Sequence, residues 1–177
     1  MSYACRAKHY AKNNLHQRIL YNAVERGVGL TNVPAERNRR WSIYPTEDLI
    51  IKILKYGEEP RLIYGIPIIL YKNKVSYEKL ANEAVKCCLA NEMGYILQMT
   101  HRLFKEHNGH KIPDGLEHAL AILKSNRDDN EHIILRASTA PNIEEVLKTA
   151  QLPEEKLWNV LGRFTYEGFA HAYSCCQ

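Results

Sequence analysis

No stretch of this chain approaches the ~18 consecutive apolar residues that a membrane-crossing helix needs, so no span is expected. Its first residues, MSYACRAKHYAKNN, have no continuous apolar core of the kind a secretory signal requires. There is no glycine-rich phosphate loop, no nucleophile elbow and no His-Glu-x-x-His pair. The motif-borne signs of nucleotide binding, acyl transfer and zinc hydrolysis are therefore missing, and an enzyme is not expected. Cysteine is odd in number and poorly placed for cross-linking. Of the five, Cys87 and Cys88 are adjacent, as are Cys175 and Cys176, and adjacent residues do not readily bridge without strain. The same adjacency departs from the Cys-x-x-Cys spacing of a zinc site, so no metal or cofactor is expected. These absences together point to a cytoplasmic protein.

What is present describes a folded chain. The composition, 45% hydrophobic and 25% charged, is that of a globular protein rather than a disordered one. A length of 177 residues suffices for one large domain or two small ones. The formal charge of +4 is unevenly spread. Met1 to Trp41 carries eight Arg and Lys against two Glu, an excess of six, which leaves the remainder at −2. A basic arm ahead of a mildly acidic body suits an anionic partner, or else a solvated tail neutralised by the body. Within it Arg37, Arg39 and Arg40 lie beside Trp41 and Tyr44, a pairing that suits stacking on nucleic-acid bases; a Trp41 anchor tucking the linker onto the body is the simpler alternative.

Helical periodicity runs through most of the chain. Leu15, Ile19, Leu20 and Ala23 predict a helix stopped at Gly27. Thr46, with Glu47 and Asp48 behind it, predicts a capped helix over Leu49, Ile50, Ile53 and Leu54, ended at Gly57. In Arg61 to Tyr71, Gly65 and Pro67 predict a helical turn followed by an extended apolar piece. Ser76 opens a helix in which Tyr77, Leu80, Ala81, Ala84 and Cys88 face inward, and Met93 to Phe104 marks another, ending near Gly109. His101, His107 and His110 form the densest histidine group. They read as helix-end residues favoured by the dipole, with a metal site as the alternative. Asn126 to Asn130 reads as a solvated turn.

The carboxyl-terminal third is the most patterned. Asp114 to Glu117 has the form of a capping box before the stripe Leu116, Ala119, Leu120 and Leu123, and His132 to Leu135 is a candidate short strand. Ile143, Val146, Leu147 and Ala150 form a helical stripe, Gln151 and Leu152 a turn, and Pro153 sits at the first position of a second helix. That helix is expected to bury Leu157, Val160, Leu161 and Phe164, with Gly168 letting the backbone leave. This order, and the string LKTAQLPEEKLWNVLGRFTYEGF in particular, resembles the winged helix-turn-helix domains of prokaryotic regulators. NEMGYILQM, from Asn91 to Met99, also resembles a motif in the helical domain of abortive-infection antitoxins. Those couple a winged-helix DNA-binding domain to one acting against a nucleotidyltransferase toxin.

The expected architecture is mostly α: a basic arm and linker over 1–45, a small helical bundle over 46–109, and a winged-helix-like three-helix domain with minimal β over 110–177. The resemblance implies a cytoplasmic, non-enzymatic regulator that binds nucleic acid, DNA foremost, and that gains from acting as a homodimer. Lys156, Asn159 and Arg163 would face the nucleic acid, and Arg37, Arg39 and Arg40 would contact phosphates. The alternative is a helical protein-interaction module anchored by Trp158, Tyr166 and Phe169, because cations are few around them.

Overall fold

The computed structural model describes residues 3–30, 43–107, 112–130, 133–135, 152–162 and 164–175. Among them the protein is mostly helical. Helix α1 (Tyr3–Glu25) is followed by α2 (Thr46–Tyr56), α3 (Pro60–Lys72), α4 (Tyr77–Lys86), α5 (Ala90–His107) and α6 (Leu116–Ser125). Strand β1 (Ile133–Ile134), helix α7 (Pro153–Trp158), strand β2 (Val160–Leu161) and helix α8 (Tyr166–Ser174) complete the order. No helix of the described residues is long and apolar enough to cross a membrane.

The apolar stripes explain the first half. In α2, Leu49, Ile50, Ile53 and Leu54 are buried on one face. Thr46 does not cap this helix. Pro45 stands at the cap, and the Thr46 hydroxyl instead accepts from Arg26 Nε at 3.1 Å, fastening α1 to α2. Ser76 does cap α4, its hydroxyl accepting from Lys79 N–H at 3.4 Å. The largest local surprise is α3, which continues through Pro67 as helix. A proline inside a helix costs about 3 kcal/mol. Leu62, Ile63, Ile66, Ile68, Ile69 and Leu70 are all buried in that helix, each contributing about 1.5–3 kcal/mol, so tertiary burial wins over local preference.

Two other local expectations fail for stated reasons. Cys88 does not extend the inner face of α4: it is exposed, with φ 56°, in the turn to α5. Asp114 does not cap α6; Gly115, at φ 84°, holds that place and makes no side-chain bond.

The bundle is layered on α5. Helix α6 packs across α4 and α5, α7 lies against α5, and α8 lies along α3. The buried side chains form one cluster that draws on both sides of residue 109, from Ile19 to Tyr173, so the core does not divide there. Strands β1 and β2 pair in parallel, Ile133 with Val160 and Ile134 with Leu161.

The carboxyl-terminal elements differ from a winged helix-turn-helix in the described part. The helix opening at Pro153 ends at Trp158, not beyond Phe164, because Asn159 turns left-handed at φ 52°. Asn tolerates that conformation better than other side chains carrying a Cβ. Val160 and Leu161 then follow the strand preference of branched residues and pair with β1. Leu157, expected inside, is 39% exposed, whereas Val160, Leu161 and Phe164 are buried. Gly168 is not an exit. It sits inside α8, where Thr165 caps by accepting from Gly168 N–H at 3.1 Å and a Cβ would meet the Tyr64 ring within 2.7 Å. The preceding helix, expected over Ile143 to Ala150, lies outside the described residues.

Candidate functional site

Polar chemistry concentrates where α7 meets α5. The six residues PEEKLW turn Glu154, Glu155 and Trp158 inward and leave Lys156 and Leu157 outward. Trp158 is 1% exposed and lies flat enough on α5 that a Cβ at Gly94 would overlap its six-membered ring. Only glycine permits that approach.

At the carboxyl end of α7, two orphan carbonyls find donors. Asn91 Nδ2 donates to Trp158 O at 2.8 Å and to Asp128 O at 2.7 Å, while Asn91 Oδ1 accepts from Asp128 N–H at 2.8 Å. Arg127 Nη1 donates to Leu157 O at 2.7 Å. A helix end buried against protein requires such partners, and here they also tie the 126–130 turn to α5.

At the amino end the balance is different. Glu155 Oε2 accepts from Leu152 N–H at 2.9 Å, and Glu154 Oε1 accepts from Arg102 Nη1 at 3.3 Å. Among the described residues, their other oxygens, Glu154 Oε2 and Glu155 Oε1, are buried without a hydrogen-bond partner, as are Tyr95 Oη and Trp158 Nε1. Burial raises the Glu155 carboxyl above its ordinary range; the Leu152 N–H opposes this, and the neighbouring charge of Glu154 adds to it. Burial raises the Tyr95 hydroxyl as well, and the Glu155 and Glu154 charges push it further. Around them stand Tyr64, Phe164 and Phe169, with Tyr64 edge-on to both phenylalanines at 5.2 and 4.8 Å between centroids.

The seam has a charged rim. Arg102 donates to Glu106 at 3.0 Å and to Glu154, and its guanidinium lies 3.9 Å from the centre of the Tyr166 ring. The Tyr166 hydroxyl donates to Glu106 in turn.

A second feature is cationic. Arg18 of α1 and Lys52 of α2 each lie 5.0 Å from the Tyr44 ring centre, and Lys55 lies 5.6 Å from that of Tyr56. Tyr44 is held by α1: its N–H donates to Asn22 Oδ1 at 2.7 Å, and its carbonyl accepts from Arg26. Lys55 and Tyr56 are exposed.

The residues singled out from sequence are not brought together. Arg37, Arg39, Arg40 and Arg163 lie outside the described residues. Lys156 is exposed on α7, and Asn159 is the left-handed stop of that helix. Trp158 and Phe169, expected as surface anchors, are interior at 1% and 0% exposure and serve this chain's own core. Tyr166 is half-buried beneath Arg102. Among the described residues no three His, Cys, Asp or Glu converge on a metal position, and His110 lies outside them. No family model, curated protein or solved structure matches the chain.

Proposed function

We propose that the protein is a non-enzymatic nucleic-acid-binding regulator that meets its partner through its amino-terminal basic segment and the adjoining edge of α2. The observation that carries this is the pairing of Arg18 and Lys52 with the Tyr44 ring and of Lys55 with the Tyr56 ring, near in sequence to an arm holding six excess positive charges. Cations supply the phosphate attraction that dominates nucleic-acid affinity, and tyrosines beside them supply ring faces for bases. The α7 surface is a poorer support. It is short, its glutamates and tryptophan turn inward, and of the two cations expected to face nucleic acid from it, Lys156 and Arg163, only Lys156 lies among the described residues. Arg37, Arg39 and Arg40 extend the same basic segment in sequence.

Fluorescence anisotropy with labelled duplex DNA and single-stranded RNA across a salt series tests this reading. Binding should weaken linearly on a log-log salt plot, and Lys52→Glu with Lys55→Glu should flatten the slope by about 1 for each phosphate no longer neutralised. Lys156→Glu should change little. No binding at low salt, or salt-independent binding, overturns it in favour of a helical protein-interaction module.

A further inference from the structure

We infer that Tyr44 is a positioning residue and not a base-stacking one: its ring sets Arg18 and Lys52 as a two-cation clamp for the phosphodiester backbone of a nucleic acid. Tyr44 and Tyr56 then divide what the nucleic-acid reading above, on which this rests, gives them jointly. The Arg18 guanidinium carbon and the Lys52 Nζ each lie 5.0 Å from the centre of the Tyr44 ring. The two charges are therefore at most about 10 Å apart, and the half-buried ring that draws both in is already engaged.

The backbone fixes this arrangement. Asn22, fully buried, donates from Nδ2 to the Arg18 carbonyl at 2.9 Å and accepts at Oδ1 from the Tyr44 N–H at 2.7 Å, so one amide sets both residues. Arg26 donates to the Tyr44 carbonyl and, through Nε, to the hydroxyl of Thr46, which opens the helix that carries Lys52. Pinning on both sides of the Cα leaves Tyr44 only side-chain rotation, and rotation toward a base would release both cations from the ring. Two like charges held this close repel. A phosphate seated between them relieves that repulsion and gains from both. Among the described residues no carboxylate lies within ion-pair distance of Lys52 to take that place. Tyr56 differs. It is 39% exposed, with Lys55 5.6 Å from its ring centre, and keeps ring surface for a base.

The test is fluorescence anisotropy of the full chain at low salt with three labelled DNA probes of equal length. One is a duplex, one a single strand, and one a strand of abasic tetrahydrofuran units that keeps the backbone without bases. Tyr44→Leu should weaken all three by the same factor, at least about threefold, and Tyr44→Phe, which keeps the ring, should restore the affinity. Once Arg18→Gln and Lys52→Gln have removed the clamp, Tyr44→Leu should add no further loss, because the ring acts only through the two cations. No loss on the abasic strand, an undiminished loss without the cations, or no rescue by Tyr44→Phe overturns the clamp. A parent that binds probes with bases but not the abasic strand overturns the clamp and leaves the nucleic-acid reading standing. Binding of none overturns both. Should Tyr44→Leu fail to fold, Lys52→Gln decides: it must lower the salt slope on the abasic strand by about 0.7, and an unchanged slope overturns the clamp.

Discussion

The two ends of α7 press on the same helix, yet the backbone carbonyls at one end find donors while the carboxylates at the other are only half matched. At the carboxyl end the amide of Asn91 and the guanidinium of Arg127 take up the carbonyls of Trp158 and Leu157. At the amino end Glu154 and Glu155 each satisfy one oxygen and bury the other. A buried polar group costs little when paired and about 1–3 kcal/mol or more when not. Six residues thus join an end whose carbonyls are paired to an end whose carboxylates are paired by half. Helix N-termini tolerate negative charge, which lets two glutamates be held there at all. The side chain common to both ends is Trp158.

Removing Trp158 should therefore break the comparison altogether. Trp158→Ala strips the largest side chain from the core beside Gly94 and should lower stability by about 3–5 kcal/mol, read as a shift of the urea midpoint. Both ends of α7 should lose hydrogen-exchange protection together. Asn91→Ala breaks only the matched end. It leaves Trp158 O, Asp128 O and Asp128 N–H without their partner and should cost about 2–4 kcal/mol. A loss under about 0.5 kcal/mol would mean that this end is held no more strongly than by an ordinary surface contact.

How far the sequence announces this arrangement depends on whether burial is aliphatic or polar. The stripes of α2 and α4 are legible because Leu49, Ile50 and Ile53, or Tyr77, Leu80 and Ala84, recur at helical spacing and are buried as that spacing demands. The strand β1 is legible through Ile133 and Ile134, but not its mate, because Val160 and Leu161 fit a helical stripe equally well. What separates the two is Asn159, a single left-handed residue whose conformation the register with β1 selects. Pro67 misleads in the opposite sense, since local cost is visible in sequence and the burial around it is not. The seam itself is hidden. Pro153, Glu154 and Glu155 look like an exposed first turn, and nothing in their spacing says that Arg102, some fifty residues earlier, receives them. Asn91 gives the better clue, a polar residue among Ala90, Met93 and Gly94 where a stripe should be apolar.

The smallest effect concerns the rim and sharpens the contrast through pH. The Tyr166 hydroxyl, and after it Arg102, hold the Glu106 carboxyl below its ordinary range. A lowered carboxyl stabilises above its ordinary range, and that contribution is lost as pH falls through the lowered value. Glu155 has the opposite sign, so acid weakens the rim while base weakens the amino end of α7. Tyr166→Phe keeps the ring under Arg102 and removes only the hydroxyl, so the loss near neutrality should stay under about 1 kcal/mol. In a series of melting temperatures against pH, Tyr166→Phe should flatten the acid limb and leave the alkaline limb unchanged. Glu155→Gln should do the reverse. If both substitutions flatten the same limb, Glu106 and Glu155 titrate as one coupled group, and α7 has a single electrostatic end rather than two.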